Sequence, residues 1–486
     1  SKLNASTMGG QRKGSLKERS ELEFSNQRKQ LLNFAIFGRQ HHSENDGGRE
    51  RRQAVVALSA RYVLLKKQHE RLVNYNESRI GQSTCSAKRD FTTFFDDAER
   101  YNEQTCLALF RFKMEEIDKL VEILSLNERQ RNGEPFQFVL PNRCTFTGKE
   151  GLLLCLAYLN TGKPFLTLLE EGFTFGASPN GSQLVNVVVR FLYYRWAGPL
   201  LHMPLKMWLR VTTPTGHESR AEYYRRCISD SIEVKSREIL AAENLSRANA
   251  VQLERMCEQV KNTTFYCDGT DIEVCRPEEN QEAFYNGRKK CHVISYQGIV
   301  APDGLMVRLG GAYEGRVHDA RAYREEGFEY ELKDMCEEFE GDDGGGGEIE
   351  SDDDDDVGSF TIFADSAYSM TKYTKRPYKK SVGGHIGVAK RKYNGLMSSC
   401  RTDVENAFCL VKMFKWMGSK YRIKLLQSIQ RGNDEKPAHD MSVYVSCFLT
   451  NLRTCLRWNQ ISTKNKCAPP KIEVYLSMRD MYLNDG

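Results

Sequence analysis

Apolar residues repeat at helical spacing through the first half of the chain and give way to short β-prone runs near position 264. In FRFKMEEIDKLVEIL, from Phe110, the residues Ile117, Leu120, Val121 and Leu124 share one stripe, which predicts a single helix. A second helix is predicted from Thr147, where T-G-K-E makes a capping box with Glu150, and Gly162 ends it. A short helix over 164–171, the GFTFGA turn, and a third helix from Ser178 to about Trp196 follow, with Ser178 as N-cap and Pro179 at the first helical position. Residues 200–263 read as a mostly helical connector.

Strands are then predicted over 264–268, 291–300 and 305–313, with the Pro302-Asp303-Gly304 turn closing a hairpin between the last two. The first of them, through Phe265, Tyr266 and Cys267, delivers Asp268 to a Gly-Thr turn. A similar run, FTIFADSAYS, delivers Asp365 to another. His318-Asp319 opens a helix, with Asp319 expected to cap it and to stand as a supporting carboxylate. HIGVAK, from His385, is expected to add the last strand. In RTDVENAFCLVKMF, Val404, Phe408 and Val411 fall at i, i+4 and i+7 of a helix, and Glu405 lies one position off that stripe, free to turn toward the two aspartates. A closing amphipathic helix is predicted over 440–458. The expected fold class is α/β: a mixed-sheet domain preceded by an all-α region.

An aspartate at a strand end is ordinarily a turn residue and a helical glutamate is ordinarily solvated. Three of them converging make a poor core and a good cage for hard divalent ions, which take oxygen ligands and keep positions open for water and phosphate. Two such ions roughly 4 Å apart activate a water or a 3′-hydroxyl and stabilise the leaving oxygen in phosphoryl transfer.

Five ordered motifs make the chain recognisable. They are DGT at Asp268, YNGRKKCHVISYQGIVAPDG from Tyr285, GRVHDARAYRE from Gly315, ADSAY from Ala364 and RTDVENAFCLVK from Arg401. From about Phe110 to about Leu456 the chain resembles the PIF/Harbinger transposases of the DDE endonuclease superfamily, with an RNase H-like core. The resemblance implies Asp268, Asp365 and Glu405 as catalytic triad and metal ligands, and two Mg²⁺ ions per site with Mn²⁺ as substitute. It further implies cleavage of transposon ends and joining of the freed 3′-hydroxyls to target DNA, a homodimer or larger assembly, and a Myb-like DNA-binding partner. Asp271 stands where the family commonly places a His after DGT. The alternative is a domesticated host protein that keeps the fold, binds or nicks DNA and no longer transposes.

Charge supports a nucleic-acid partner. Thirteen acids and no base fall between 334 and 356, so the +5 of the 486-residue chain becomes +18 over the remainder. That acidic insertion, 334–358, reads either as a solvated loop or as a DNA mimic guarding a basic groove. From 366 to 392 there is no acid at all, while Lys372, Lys375, Arg376, Lys379, Lys380, Lys390, Arg391 and Lys392 alternate with Tyr368, Tyr373, Tyr378 and Tyr393. Bases among aromatics suit phosphate contacts with stacking on a distorted DNA end, and KRPYKK doubles as a nuclear import signal. Arg401 and Lys412 join this set of expected DNA contacts. In the helix-turn-helix reading of the all-α region the third helix presents Asn180, Ser182, Gln183, Asn186 and Arg190 to a major groove, the other reading being a structural bundle.

Fifteen cysteines without any C-x-x-C pair argue against a zinc finger and against a disulfide framework, and Cys291-His292 reads as strand core. No run of 18 apolar residues and no signal sequence are present, so an intracellular, nuclear address is expected. The expected organisation is a basic N-terminal arm (1–90) with one amphipathic helix over 54–73, a helix-turn-helix region (100–200), a connector (201–263), the nuclease domain (264–458) and a tail (459–486). The arm reads as either a solvated extension or an auxiliary DNA contact.

Overall fold

The computed structural model describes residues 102–128, 135–340, 360–418 and 438–485, apart from 174, 212, 214–215, 217, 243–244, 279 and 381–383. The basic arm, with the helix expected over 54–73, and positions 341–358 of the acidic insertion lie outside the described residues. Cys85–Tyr482 cluster as one unit, to which all that follows refers.

The stripe around Phe110 divides into two helices, α1 (Glu103–Phe110) and α2 (Met114–Ile123). Arg111 breaks them with a φ of 66°, and its carbonyl is taken by Arg457 at 3.0 Å. A small hairpin, β1 (Gln137–Val139) with β2 (Thr145–Thr147), leads into α3 (Gly148–Thr161), which begins at the expected Thr147–Glu150 capping box and ends at left-handed Gly162. Then come α4 (Phe165–Glu170) and α5 (Ser178–Leu192). The cap of α5 is Ala177, one residue before the Ser178 expected, and Pro179 sits in the first turn, where a missing N–H leaves nothing unsatisfied. Residues Tyr193–Ala197 continue it as a single π turn. Helices α3 and α5 meet at Gly151, where a Cβ would lie 2.5 Å from Phe138 and 3.0 Å from Val188.

The connector forms α6 (Gly198–His202), α7 (Leu205–Arg210), α8 (Arg220–Ala242) and α9 (Arg247–Glu258). The sheet follows. Its first strand, β3 (Thr263–Glu273), runs straight through the Asp-Gly-Thr expected to turn. Gly269, Thr270 and Asp271 instead pair with Gln297, Tyr296 and Ser295, and the ladder partners outweigh the local turn preference of Asp-Gly. After α10 (Gln281–Phe284) and the short β4 (Tyr285–Asn286) come β5 (Cys291–Val300) and β6 (Met306–Glu314), joined by the expected hairpin. Its turn needs Gly304, at φ +78°. Helices α11 (Asp319–Glu326) and α12 (Phe328–Glu340) cross to β7 (Thr361–Phe363) and β8 (Thr374–Lys375).

The sheet order is β6-β5-β3-β7-β8, with β4 a two-residue extension along β5. The first three strands are antiparallel and the last two parallel to β3, a mixed sheet consistent with the RNase H-like core expected. HIGVAK supplies no strand. Gly387 caps, and Val388 opens, a 25-residue helix, α13 (Val388–Lys412), while Thr374 and Lys375 fill the free edge of β7. Helices α14 (Ala438–Leu456), α15 (Gln460–Asn465) and α16 (Ile472–Asp485) complete the chain, so the tail after Pro469 is helical.

Neither 200 nor 264 is a break in packing. Tyr444 of α14 lies edge-on to Tyr193 and against His202, and its hydroxyl donates to the Leu309 carbonyl of β6 at 3.0 Å. At the tip of the β5–β6 hairpin, fully buried Asp303 accepts from Tyr224 of α8 at 2.5 Å, faces Arg220 at 3.5 Å, and offers its carbonyl to Ser462 of α15 at 2.6 Å. Helices before and after the sheet thus close on one turn. Among the described residues no helix is long and apolar enough to cross a membrane.

Candidate active site

Strands β3 and β7 run parallel with Tyr266 opposite Phe363, so two residues further on Asp268 and Asp365 come level. On the same face of β3 and β5, Gly298 lets α13 approach: a Cβ there would fall 2.6 Å from the Phe408 ring. That close approach sets Arg401, one turn before Glu405, against the strand end. Arg401 Nη1 donates to Asp268 Oδ2 at 2.9 Å and Nη2 to Glu405 Oε1 at 2.5 Å. Glu405 therefore reaches Asp268 through a guanidinium. Buried Asp403, bound by Lys464 at 2.6 Å and Asn465 at 2.8 Å, anchors this stretch of α13 to α15.

Burial pushes the Asp268 carboxyl up to about 6; Arg401 and the Gly269 N–H pull against this, and the neighbouring Asp365 and Asp319 charges add to it. Asp319 approaches from the other side of the sheet. Its Oδ1 would lie 2.6 Å from a Cβ on Gly269, and Gln297 Nε2 donates to it at 3.4 Å. Gln297 is the ladder partner of Gly269, and its side chain leaves the face opposite to Asp268. Asp319 is also not the expected cap: His318 holds that position and its side chain makes no capping bond. Burial and the nearby Asp271 raise the Asp319 carboxyl above the usual range. Asp271 itself accepts from Ser295 at 2.6 Å and pairs with Lys289 at 2.9 Å, while its carbonyl accepts from Lys412 at 3.1 Å.

The expected DNA contacts fare unequally. On α5, Asn186 is exposed and Ser182, Gln183 and Arg190 are half-buried. Asn180 is buried and committed, donating to the Phe175 carbonyl at 3.0 Å and accepting from Asn142 at 2.7 Å, so it faces the hairpin and not a groove. In the basic segment Lys379, Lys380, Lys390 and Arg391 are exposed, and Lys372, Lys375, Arg376 and Lys392 half-buried. Tyr368 and Tyr393 are core residues, unsuited to base stacking. Tyr368 donates to Gln297 Oε1 at 2.6 Å from beneath the site. Sequence reasoning missed the ionic bridge made by Arg401. Its one signal was the i, i+4 spacing from Glu405.

Among the described residues no three His, Cys, Asp or Glu side chains already stand as a metal-ligating group. The donor chemistry nevertheless fits a hard divalent ion. Asp268 and Asp365 are level, oxygen-only and mutually repelling, and Arg401 already places a positive charge between Asp268 and Glu405.

Residues 267–451, which hold this site, match the DDE superfamily endonuclease family. The endonuclease match begins within β3 and ends within α14, so it covers both aspartates and all of the sheet but the first four residues of β3. The chain is also similar to the "Probable transposase for insertion sequence element IS702" of Microchaete diplosiphon, at 22% identity over 160 residues, 32% of this chain. It spans about half, 48%, of that relative's length. No solved structure matches the chain significantly.

Proposed function

We propose that the chain is a metal-dependent DNA transposase of PIF/Harbinger type that acts in the nucleus, cleaving transposon ends and joining their 3′-hydroxyls to target DNA as a dimer or larger assembly with a Myb-like partner. The observation that carries the reading is Asp268 on β3 level with Asp365, two residues past the end of the parallel β7, with Glu405 on the helix packed against β3 and β5. Asp268, Asp365 and Glu405 would hold Mg²⁺ or Mn²⁺, which supplies an activated water or 3′-hydroxyl and stabilises the leaving oxygen. Arg401 orients Asp268 and Glu405 through its two ion pairs and, with their charge held by a metal ion, would be available to a phosphate. Asn186 and Arg190 on α5 would read the major groove, and exposed Lys379, Lys380, Lys390, Arg391 and Lys412 would hold the backbone.

The test is nicking of supercoiled plasmid with Mg²⁺ or Mn²⁺ and joining of a pre-cut end to it. Wild type is expected to do both, and Asp268→Asn to do neither while remaining folded. Nicking that survives in Asp268→Asn would overturn the assignment.

A further inference from the structure

A cleft of ≈ 340 Å³ opens beside Asp365, between the end of β7 and the start of α13. Arg401 on its rim is already paired with Asp268 and Glu405, but Lys379 and Lys380 outnumber Asp365 there and favour an anionic ligand. Pro377, Tyr378 and Ile386 give it apolar walls. The wall is built in advance. Asn394 on α13 accepts from the Tyr378 N–H and donates to the Tyr378 carbonyl, each at 2.9 Å, and the Tyr378 ring packs edge-on against Tyr393 with Lys390 Nζ 4.9 Å from its centre.

A ligand suited to this cleft carries a phosphate and a flat apolar body and reaches the carboxylates. A base pair with its two sugars is too large; one nucleotide is not. We infer that the cleft takes a single unpaired nucleotide of the DNA strand being cut, held out of the duplex next to the scissile phosphate, an inference that rests on the DNA-cleaving function proposed above. Leaving the stack costs the duplex energy that base-pocket contacts return, least where the base is already mismatched.

The experiment scans 2-aminopurine along a duplex end substrate bound to the full chain in EDTA, where nothing is cut. Fluorescence is expected to rise at one position, and a mismatch there to tighten binding about tenfold, within the few kcal/mol that unpairing costs. Ile386→Trp, which fills the cleft, should abolish both effects and keep the wild-type melting temperature; if it unfolds, Tyr378→Ala serves in its place. Duplex bound without any rise in fluorescence, or a rise that survives in both variants, overturns the inference. Saturable binding of the 2-aminopurine mononucleotide with no rise on duplex also overturns it, assigning the cleft to a free nucleotide. If no duplex binds at all, the DNA-cleaving function itself fails.

Discussion

Arg401 Nη1 stands 2.9 Å from Asp268 Oδ2, and the same guanidinium holds Glu405, so an internal cation sits where two of the three proposed ligands would share a metal ion. Arg401 and the metal then compete for Asp268. Arg401→Gln removes the competitor without removing a ligand, and Mn²⁺ is expected to bind several-fold tighter in the absence of DNA, by calorimetry or electron paramagnetic resonance. Unchanged or weaker Mn²⁺ binding would mean that Arg401 organises the carboxylates for the ion and does not displace it.

Asp365 and Asp319 lie on opposite sides of the site and should fail differently. Asp365→Asn keeps the shape and removes half of the level pair, so cleavage should fall by orders of magnitude with folding and DNA binding intact. Asp319→Asn preserves the bond from Gln297 and makes no claim on the metal face, so it should retain most of the activity. A dead, well-folded Asp319→Asn beside an active Asp365→Asn would exchange their roles.

The raised carboxyl of Asp268 links stability to pH. Below about 4 it is protonated in both folded and unfolded chains and contributes nothing. As pH rises from there through about 6, the unfolded chain loses this proton first, and Asp268 comes to destabilise the fold by up to about 3 kcal/mol. Asp268→Asn should therefore melt higher than wild type at pH 7 in EDTA, and the gap should close as the pH is lowered toward 4. A gap independent of pH would show that Asp268 is not held protonated by its surroundings.

The Asp303 cluster should behave as structure alone. Asp303→Ala leaves Arg220 buried without its carboxylate and takes the acceptor from Tyr224, at a cost of about 3–5 kcal/mol. Thermal or urea denaturation reads this directly. A change under 1 kcal/mol, roughly the value of an exposed ion pair, would mean that the hairpin tip is held by apolar packing.

On the third helix of the helical region, Asn186→Ala should weaken binding to a preferred sequence by about 1–3 kcal/mol while leaving generic nicking in place. Asn180→Ala should instead cost stability, about 1–3 kcal/mol, because its two partners lose a buried bond. Binding measurements on specific and scrambled duplexes, with melting curves, separate the two.

Elements whose signals are local were legible in the sequence. The Thr147–Glu150 box, Gly162, the strand over 291–300 and the Pro-Asp-Gly hairpin all stand where expected. What failed depended on distant partners. Asp-Gly-Thr reads as a turn until β5 supplies a ladder, and HIGVAK reads as a strand until β8 occupies the edge. The level pairing of Asp268 with Asp365 was readable because an RNase H-like resemblance fixes strand order. The bridge from Arg401 to Asp268 was not, since it joins residues 133 apart through a side chain with many rotamers. Asn180 was misjudged for a related reason: polarity marks a residue as able to bond, and only the fold says whether Phe175 and Asn142 have already claimed it.

Tyr444 gives the molecule a ruler. Because α14 wedges this ring between the helical region and the Leu309 carbonyl of β6, the helix proposed to read DNA and the carboxylates proposed to cut it sit in one packed unit instead of on a tether. The number of base pairs between a recognised sequence and the cut would then be fixed by the fold. Ends bearing inserted base pairs in that interval would be cut at the wrong place or left whole.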